Sequence, residues 1–119
     1  MHFRTVAVIG AGTMGAGIAQ VCAQTGWQTR LYDAFPEGLE KGMNTIDTFW
    51  EKGIARRKTT EQQKANWSAN IRQSTDFRES VDGVDLVIEA VPENMELKQQ
   101  IFGQLEEMAP PHAILATNT

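Results

Sequence analysis

The chain of 119 residues holds a single cysteine, Cys22, so no internal disulfide can form and the fold must rest on its own core. A lone thiol on an apolar helical face suits a core position in a reducing compartment. Basic residues are also short. Eleven Lys and Arg stand against fifteen Asp and Glu, a formal net charge of −4 with a pI near 5.1. A nucleic-acid binder would present a dominant basic face, so that class is excluded. No apolar run approaches the roughly 20 residues of a membrane span. The N-terminus has no charged segment followed by a long hydrophobic stretch. The expectation is a cytoplasmic chain with no membrane partner. Its length suits one domain at most, residues 1–119, large enough to bury a core without a metal, and no metal site is expected. It equally suits part of a longer protein.

Glycine, by contrast, is placed where chemistry can use it. Gly10-Ala11-Gly12-Thr13-Met14-Gly15 follows the apolar run Val6-Ala7-Val8-Ile9 and precedes a segment whose Met14, Ile18, Val21 and Cys22 share one helical face. Three glycines at this spacing mark many turns, but between a strand and a helix they fit a dinucleotide-binding turn. Each has its own reason. Gly10 permits the tight turn, Gly12 lets a diphosphate approach the backbone, and Gly15 lets the helix lie close to its strand. Backbone N–H groups from about Thr13 onward, at the positive end of the helix dipole, form an anion site. The loop itself carries no basic side chain.

A second strand, Gln28–Tyr32, ends at Asp33, 23 residues beyond Gly10 and close to the roughly 20-residue offset of an acid that grips the adenosine ribose. A carboxylate there accepts both ribose hydroxyls and repels a 2′-phosphate. Ala34, Phe35 and Pro36 supply no cation to neutralise one, so NAD is favoured over NADP. A flavin dinucleotide shares the glycine fingerprint and stays open on this pattern.

Strands near 4–9, 28–32, 71–74, 84–88 and 113–116 alternate with helical patterns near 14–25, after Pro36, 60–69 and 94–108. This alternation predicts a Rossmann-type, doubly wound α/β domain with a parallel sheet. The stretch 36–69 is too long for one crossover helix. Its charged segment Lys52–Lys58 predicts two helices in a protruding hairpin, with Trp50 and Trp67 packing inside it. Arg56, Arg57 and Lys58 at the tip suit either a solvated surface or contact with phosphates. A near-continuous apolar run, Val84–Ile88, reads as a strand buried on both faces and ends in Glu89-Ala90-Val91-Pro92-Glu93-Asn94. That loop should face the glycine loop across the crevice at the strands' carboxyl ends.

The whole chain resembles the N-terminal domain of the 3-hydroxyacyl-CoA dehydrogenase family. The residues that carry the likeness are Val8 through Ala19, the strand ending in Asp33, Glu89–Asn94 with Leu97-Lys98, and Ala113–Thr119. The resemblance implies NAD-dependent oxidation of an L-3-hydroxyacyl-CoA to the 3-ketoacyl-CoA, as in fatty-acid β-oxidation. It implies cofactor contacts from Gly10, Ala11, Gly12, Thr13, Met14, Gly15, Asp33, Ala90, Glu93 and Lys98. Glu93 and Lys98 would line the nicotinamide side, Asn118 would position the nicotinamide and the acyl group, and Arg56 would lie toward the CoA phosphates. Within the family, 3-hydroxybutyryl-CoA enzymes are the nearest in kind, with 3-hydroxyadipyl-CoA, carnitine and gulonate dehydrogenases as alternatives.

One departure matters. Family members continue past Asn-Thr into serines and then supply a His-Glu pair whose imidazole takes the hydroxyl proton; here the sequence stops at Thr119, and its only histidines are His2 and His112. A general base must come within about 3 Å of its proton, directly or through one water, and neither histidine stands in the family's position. The helical C-terminal domain that closes over acyl-CoA and forms the family's homodimer is absent from the chain. The expectation is an NAD-binding piece that does not turn over substrate alone. A non-catalytic module sensing NAD redox state is the alternative from another class.

Overall fold

A computed structural model describes residues 4–90, 100, 103–104, 107–108 and 113–117. In order, the elements are β1 (Thr5–Ile9), α1 (Thr13–Thr25), β2 (Gln28–Tyr32), α2 (Pro36–Ala55), α3 (Glu61–Ala69), β3 (Ile71–Ser74), α4 (Phe77–Val81), β4 (Leu86–Glu89) and β5 (Ile114–Thr117). The five strands form one sheet in the order β3-β2-β1-β4-β5. Every pairing is parallel, with Val6 opposite Thr29 on β2 and Leu86 on β4. The chain therefore winds outward from β1 in both directions, and the crevice at such a reversal of strand order is where doubly wound folds bind ligands.

Central position explains the composition of β1. Val6, Ala7, Val8 and Ile9 are all fully buried, as a parallel strand covered on both faces requires. One face packs with Ala16, Ala19 and Ala23 of α1 and with Leu39, Ile46 and Trp50 of α2. The other packs Ala7 and Ile9 with Phe77, Val81, Val84 and Val87. Alanines along α1 let that helix lie close to the sheet, and Gly26 ends it in a left-handed cap at φ 100°.

Among the described residues the expected elements are present, but α1 buries Ala16, Ala19 and Ala23 while Met14 and Val21 of its expected apolar face are exposed and Cys22 is half-buried. Three further differences concern the other elements. The fourth strand covers Leu86–Glu89 rather than 84–88, and Glu89 is its buried last residue, not the first of the loop. Leu86 and Ile88 are half-buried, so β4 is not covered on both faces throughout. Second, α2 runs unbroken through Lys52-Gly53-Ile54-Ala55, and the hairpin turn begins only at Arg56. Third, α4 has no counterpart among the expected elements. Five residues are too few to show a period, yet its start is written locally, because Asp76 Oδ1 accepts from Glu79 N at 3.0 Å. Arg30 of β2 donates to the carbonyls of Glu79 and Asp82 at the other end of α4. The helix expected over 94–108 lies mostly outside the described residues, of which Gln100, Gly103, Gln104, Glu107 and Met108 are helical. Among the described residues, no helix is long and apolar enough to cross a membrane.

Candidate functional site

The turn from β1 to α1 separates the three glycines by function. Gly10 adopts φ 107°, a left-handed conformation that side chains resist, and its N–H donates to Tyr32 O at 2.8 Å. At Gly15 a Cβ would lie 1.7 Å from Gly10 O, inside the carbonyl itself, so this position admits only glycine while helix and strand stay this close. Gly12 is the opposite case: a Cβ there would meet nothing within 4 Å. Nothing in the fold demands a glycine at residue 12, which leaves the outer face of the turn open.

Helix α1 opens at Thr13 with no side-chain cap and no acidic residue in its first turn. The positive end of its dipole thus has no carboxylate of that turn to offset it. Asp33, just past β2, turns its carboxylate toward the loop: Oδ2 accepts from Ala11 N at 3.0 Å and Oδ1 from Phe35 N at 3.0 Å. The strand-end acid and the glycine loop are thereby tied to each other. Across the crevice, Ala90 N donates to Ile9 O at 2.8 Å, and Ala90 Cβ is 3.6 Å from where a Cβ on Gly15 would stand. The loop after β4 begins against the glycine turn, as the fold class requires.

The structure therefore gathers Gly10, Ala11, Gly12, Thr13, Met14, Gly15, Asp33 and Ala90 at the carboxyl ends of β1, β2 and β4. Glu93, Lys98 and Asn118 lie outside the described residues. Arg56 is not brought to the loop. It caps the far end of α2 and is exposed; at 1.5 Å per helical residue it stands roughly 20 Å along the axis from Gly42.

Two residues escaped the sequence reading and shape the site. Gly38 and Gly42 lie one helical turn apart in α2, where a Cβ on Gly38 would come within 2.9 Å of the Asp33 carboxylate. One on Gly42 would come within 2.6 Å of Ala11 O. Their absent side chains let α2 press onto both halves of the site. The spacing Gly-Leu-Glu-Lys-Gly puts two poor helix formers on one helical face, which signals close packing there without naming what packs.

The residues present fit a dinucleotide: an open cradle at Gly12, a helix with no acidic residue in its first turn, and a carboxylate beside the loop. Comparisons with known proteins agree. Residues 5–119 match the family model described as 3-hydroxyacyl-CoA dehydrogenase, NAD binding domain. The chain is 40% identical over 119 residues to a 3-hydroxyadipyl-CoA dehydrogenase of Escherichia coli (strain K12), covering 100% of this chain and 25% of that protein. It is 38% identical over 119 residues to a probable 3-hydroxybutyryl-CoA dehydrogenase of Bacillus subtilis (strain 168), covering 100% of this chain and 41% of that one. Among solved structures, an (S)-3-hydroxybutyryl-CoA dehydrogenase from Ralstonia eutropha superposes with a TM-score of 0.94 at 38% identity, over 99% of this chain and 41% of that one. The chain thus spans well under half the length of these relatives. Its loop geometry, its strand-end acid and its full-length match make it a member of the 3-hydroxyacyl-CoA dehydrogenase family, corresponding to that family's NAD-binding domain.

Proposed function

We propose that residues 1–119 are the NAD-binding part of a longer two-domain oxidoreductase that converts an L-3-hydroxyacyl-CoA to its 3-ketoacyl-CoA, passing hydride to NAD. The single observation that carries the cofactor half is the pair of hydrogen bonds from Ala11 N and Phe35 N to Asp33. They hold a carboxylate beside a glycine turn whose outer face is open at Gly12. In this reading Gly10, Ala11, Gly12, Thr13, Met14 and Gly15 receive the diphosphate, Asp33 accepts the adenosine ribose hydroxyls, and Ala90, Glu93 and Lys98 line the nicotinamide side. Asn118 positions the nicotinamide against the acyl group. Arg56, exposed at the distal end of α2, is the residue assigned to the CoA phosphates. Bound NAD supplies the hydride acceptor; this chain's residues hold and orient it.

The acyl-CoA half rests on the relatives, whose extra length would hold the remaining catalytic groups and a homodimer interface. A cytoplasmic setting belongs to the same reading, in keeping with a lone cysteine that can form no internal disulfide. Calorimetric titration of the chain with NAD and NADP tests the cofactor assignment. NAD should bind and NADP should bind markedly less; no NAD binding, or a bound flavin on purification, overturns it. Reading the gene past Thr119 tests the rest. A serine followed by a His-Glu pair, with acetoacetyl-CoA-dependent loss of NADH absorbance in the longer protein, is expected. A native stop codon would favour a non-catalytic NAD-sensing module.

A further inference from the structure

The glycine loop and the residues just after β2 contain no cation, but the fold delivers one from another element. Gly42 seats α2 directly on Ala11, and the residue beside it is Lys41, exposed and in none of the ion pairs among the described residues. Helical side chains lean toward the N-terminus of their helix. For Lys41 that direction is the end of α2 that meets Asp33. Lys41 lines an open groove of about 380 Å³ together with Ala11, Gly12, Thr13, Asn44 and Thr45. The wall of this groove on the α1 side is the part of the turn where a Cβ would meet nothing.

Charge supplies the argument. A helix N-terminus offers the equivalent of roughly half a positive charge, whereas a diphosphate carries about two negative ones. The acidic neighbours on the same helix, Glu37 and Glu40, and Asp33 on the adjoining strand end add to the deficit. A compact ammonium on a flexible stem is suited to phosphate as a point charge. We propose that the groove between Gly12-Thr13 and Lys41 holds the diphosphate of a bound nucleotide, with Lys41 Nζ as its side-chain cation. This rests on the reading of the glycine turn as the nucleotide site. NAD and CoA both contain an adenosine diphosphate unit, so the shared chemistry is named here and the experiment separates the two sources.

The test compares the unaltered chain with Lys41→Gln, Lys41→Glu and Lys41→Arg by titration with NAD, CoA and adenosine, after melting curves show the variants folded as an exposed residue allows. Lys41→Gln should weaken NAD about 5- to 10-fold, a charge-assisted contact at a solvent-exposed site. Lys41→Glu should weaken it further, Lys41→Arg should restore most of the loss, and the dependence of affinity on salt should flatten. Adenosine should bind all four alike. A loss confined to CoA would assign the groove to the substrate's diphosphate; a loss confined to NAD assigns it to the cofactor's. Equal losses for adenosine and NAD, or affinities for NAD and CoA untouched in Lys41→Gln, would overturn the proposal. Failure of the unaltered chain to bind either nucleotide would instead bring down the reading of the glycine turn.

Discussion

The two ends of α2 belong to one continuous helix and are held in opposite ways. Its first two turns touch the site through missing atoms: Gly38 and Gly42 leave no room for a methyl group against Asp33 and Ala11. Its last turns, with α3, are held by side chains. Trp50 is buried and stacks at a tilt on Trp67 with ring centroids 5.7 Å apart, and its Nε1 donates to Gln24 Oε1 of α1 at 3.0 Å. Lys64 of α3 reaches Asp47 and Glu51 of α2 at 2.6 and 2.5 Å. Helix α3 has no buried residue at all. Contact with backbone, as between Gly42 and Ala11, is intolerant of any added atom, and at Gly38 an added atom would meet the Asp33 carboxylate, itself tied to Ala11 N and Phe35 N. Contact through long exposed polar side chains can be re-made. The site end should therefore be brittle and the hairpin end tolerant.

Gly15→Ala should show the brittleness at its strongest. The added Cβ falls 1.7 Å from Gly10 O, and relief requires moving backbone rather than rotating a side chain. The loss should reach or exceed the upper end of the roughly 1–3 kcal/mol typical of overpacking, with NAD binding lost as well. Denaturant midpoints measure it; a midpoint near that of the unaltered chain would mean helix and strand are not so close. Gly12→Val is the matched control. It should keep its midpoint, since a Cβ there meets nothing within 4 Å, and still lose NAD, because the branched side chain fills the phosphate cradle.

Asp33→Ala comes next and separates binding from folding. It removes the acceptor for Ala11 N and Phe35 N along with the group assigned to the ribose. Hydrogen bonds to a charged group contribute about 1.5–3 kcal/mol, so NAD affinity should fall roughly 10- to 100-fold. NADP should lose less, because the repelling carboxylate goes too. Paired titrations decide; an unchanged NAD to NADP ratio would reject the role of Asp33.

At the hairpin end the expected numbers shrink. Thr60 caps α3 by accepting from Gln63 N at 3.0 Å, and Gln63 Oε1 accepts from Thr60 N at 2.9 Å, a reciprocal capping box. Thr60→Ala should cost about 1 kcal/mol of stability with no change in NAD affinity. A substantial loss of NAD binding would show that the two ends of α2 are coupled after all.

The same contrast explains what could be read from residues alone. Strand β1, the Gly10–Gly15 turn and the acid at Asp33 depend on a continuous apolar run, local order and a fixed offset, all of which are written along the chain. Helix α1 stands where the pattern puts it, yet it packs through the small residues Ala16, Ala19 and Ala23 and leaves Met14 and Val21 exposed. The charged run starting at Lys52 looks like a loop, yet charged residues also populate an exposed helical face, so α2 runs on to Ala55. Glu89 looked like the first loop residue because a carboxylate rarely ends a buried strand. Gly38 and Gly42 were passed over for a different reason. In isolation a glycine in a helix is only a weak former; that it faces Asp33 and Ala11 depends on how α2 crosses the turn, which is a tertiary fact.

The smallest effect sharpens the comparison through pH. Hydrogen bonds to Asp47 and then Glu51 raise the Lys64 pKa above its ordinary 10.5, against a lesser opposing effect of burial. A base whose folded pKa is raised contributes stability that is fully present below the unfolded value and fades as pH climbs through the folded one. Lys64→Gln should therefore melt slightly below the unaltered chain at neutral pH, and the gap should close above about pH 10.5 and at high salt, since all three groups are solvent-accessible and screened. Melting curves at neutral and strongly alkaline pH check this. A gap that survives both alkali and salt would mean the lysine stem, packed between α2 and α3, holds the hairpin rather than its charge, and the hairpin end would then resemble the site end more than its polar surface suggests.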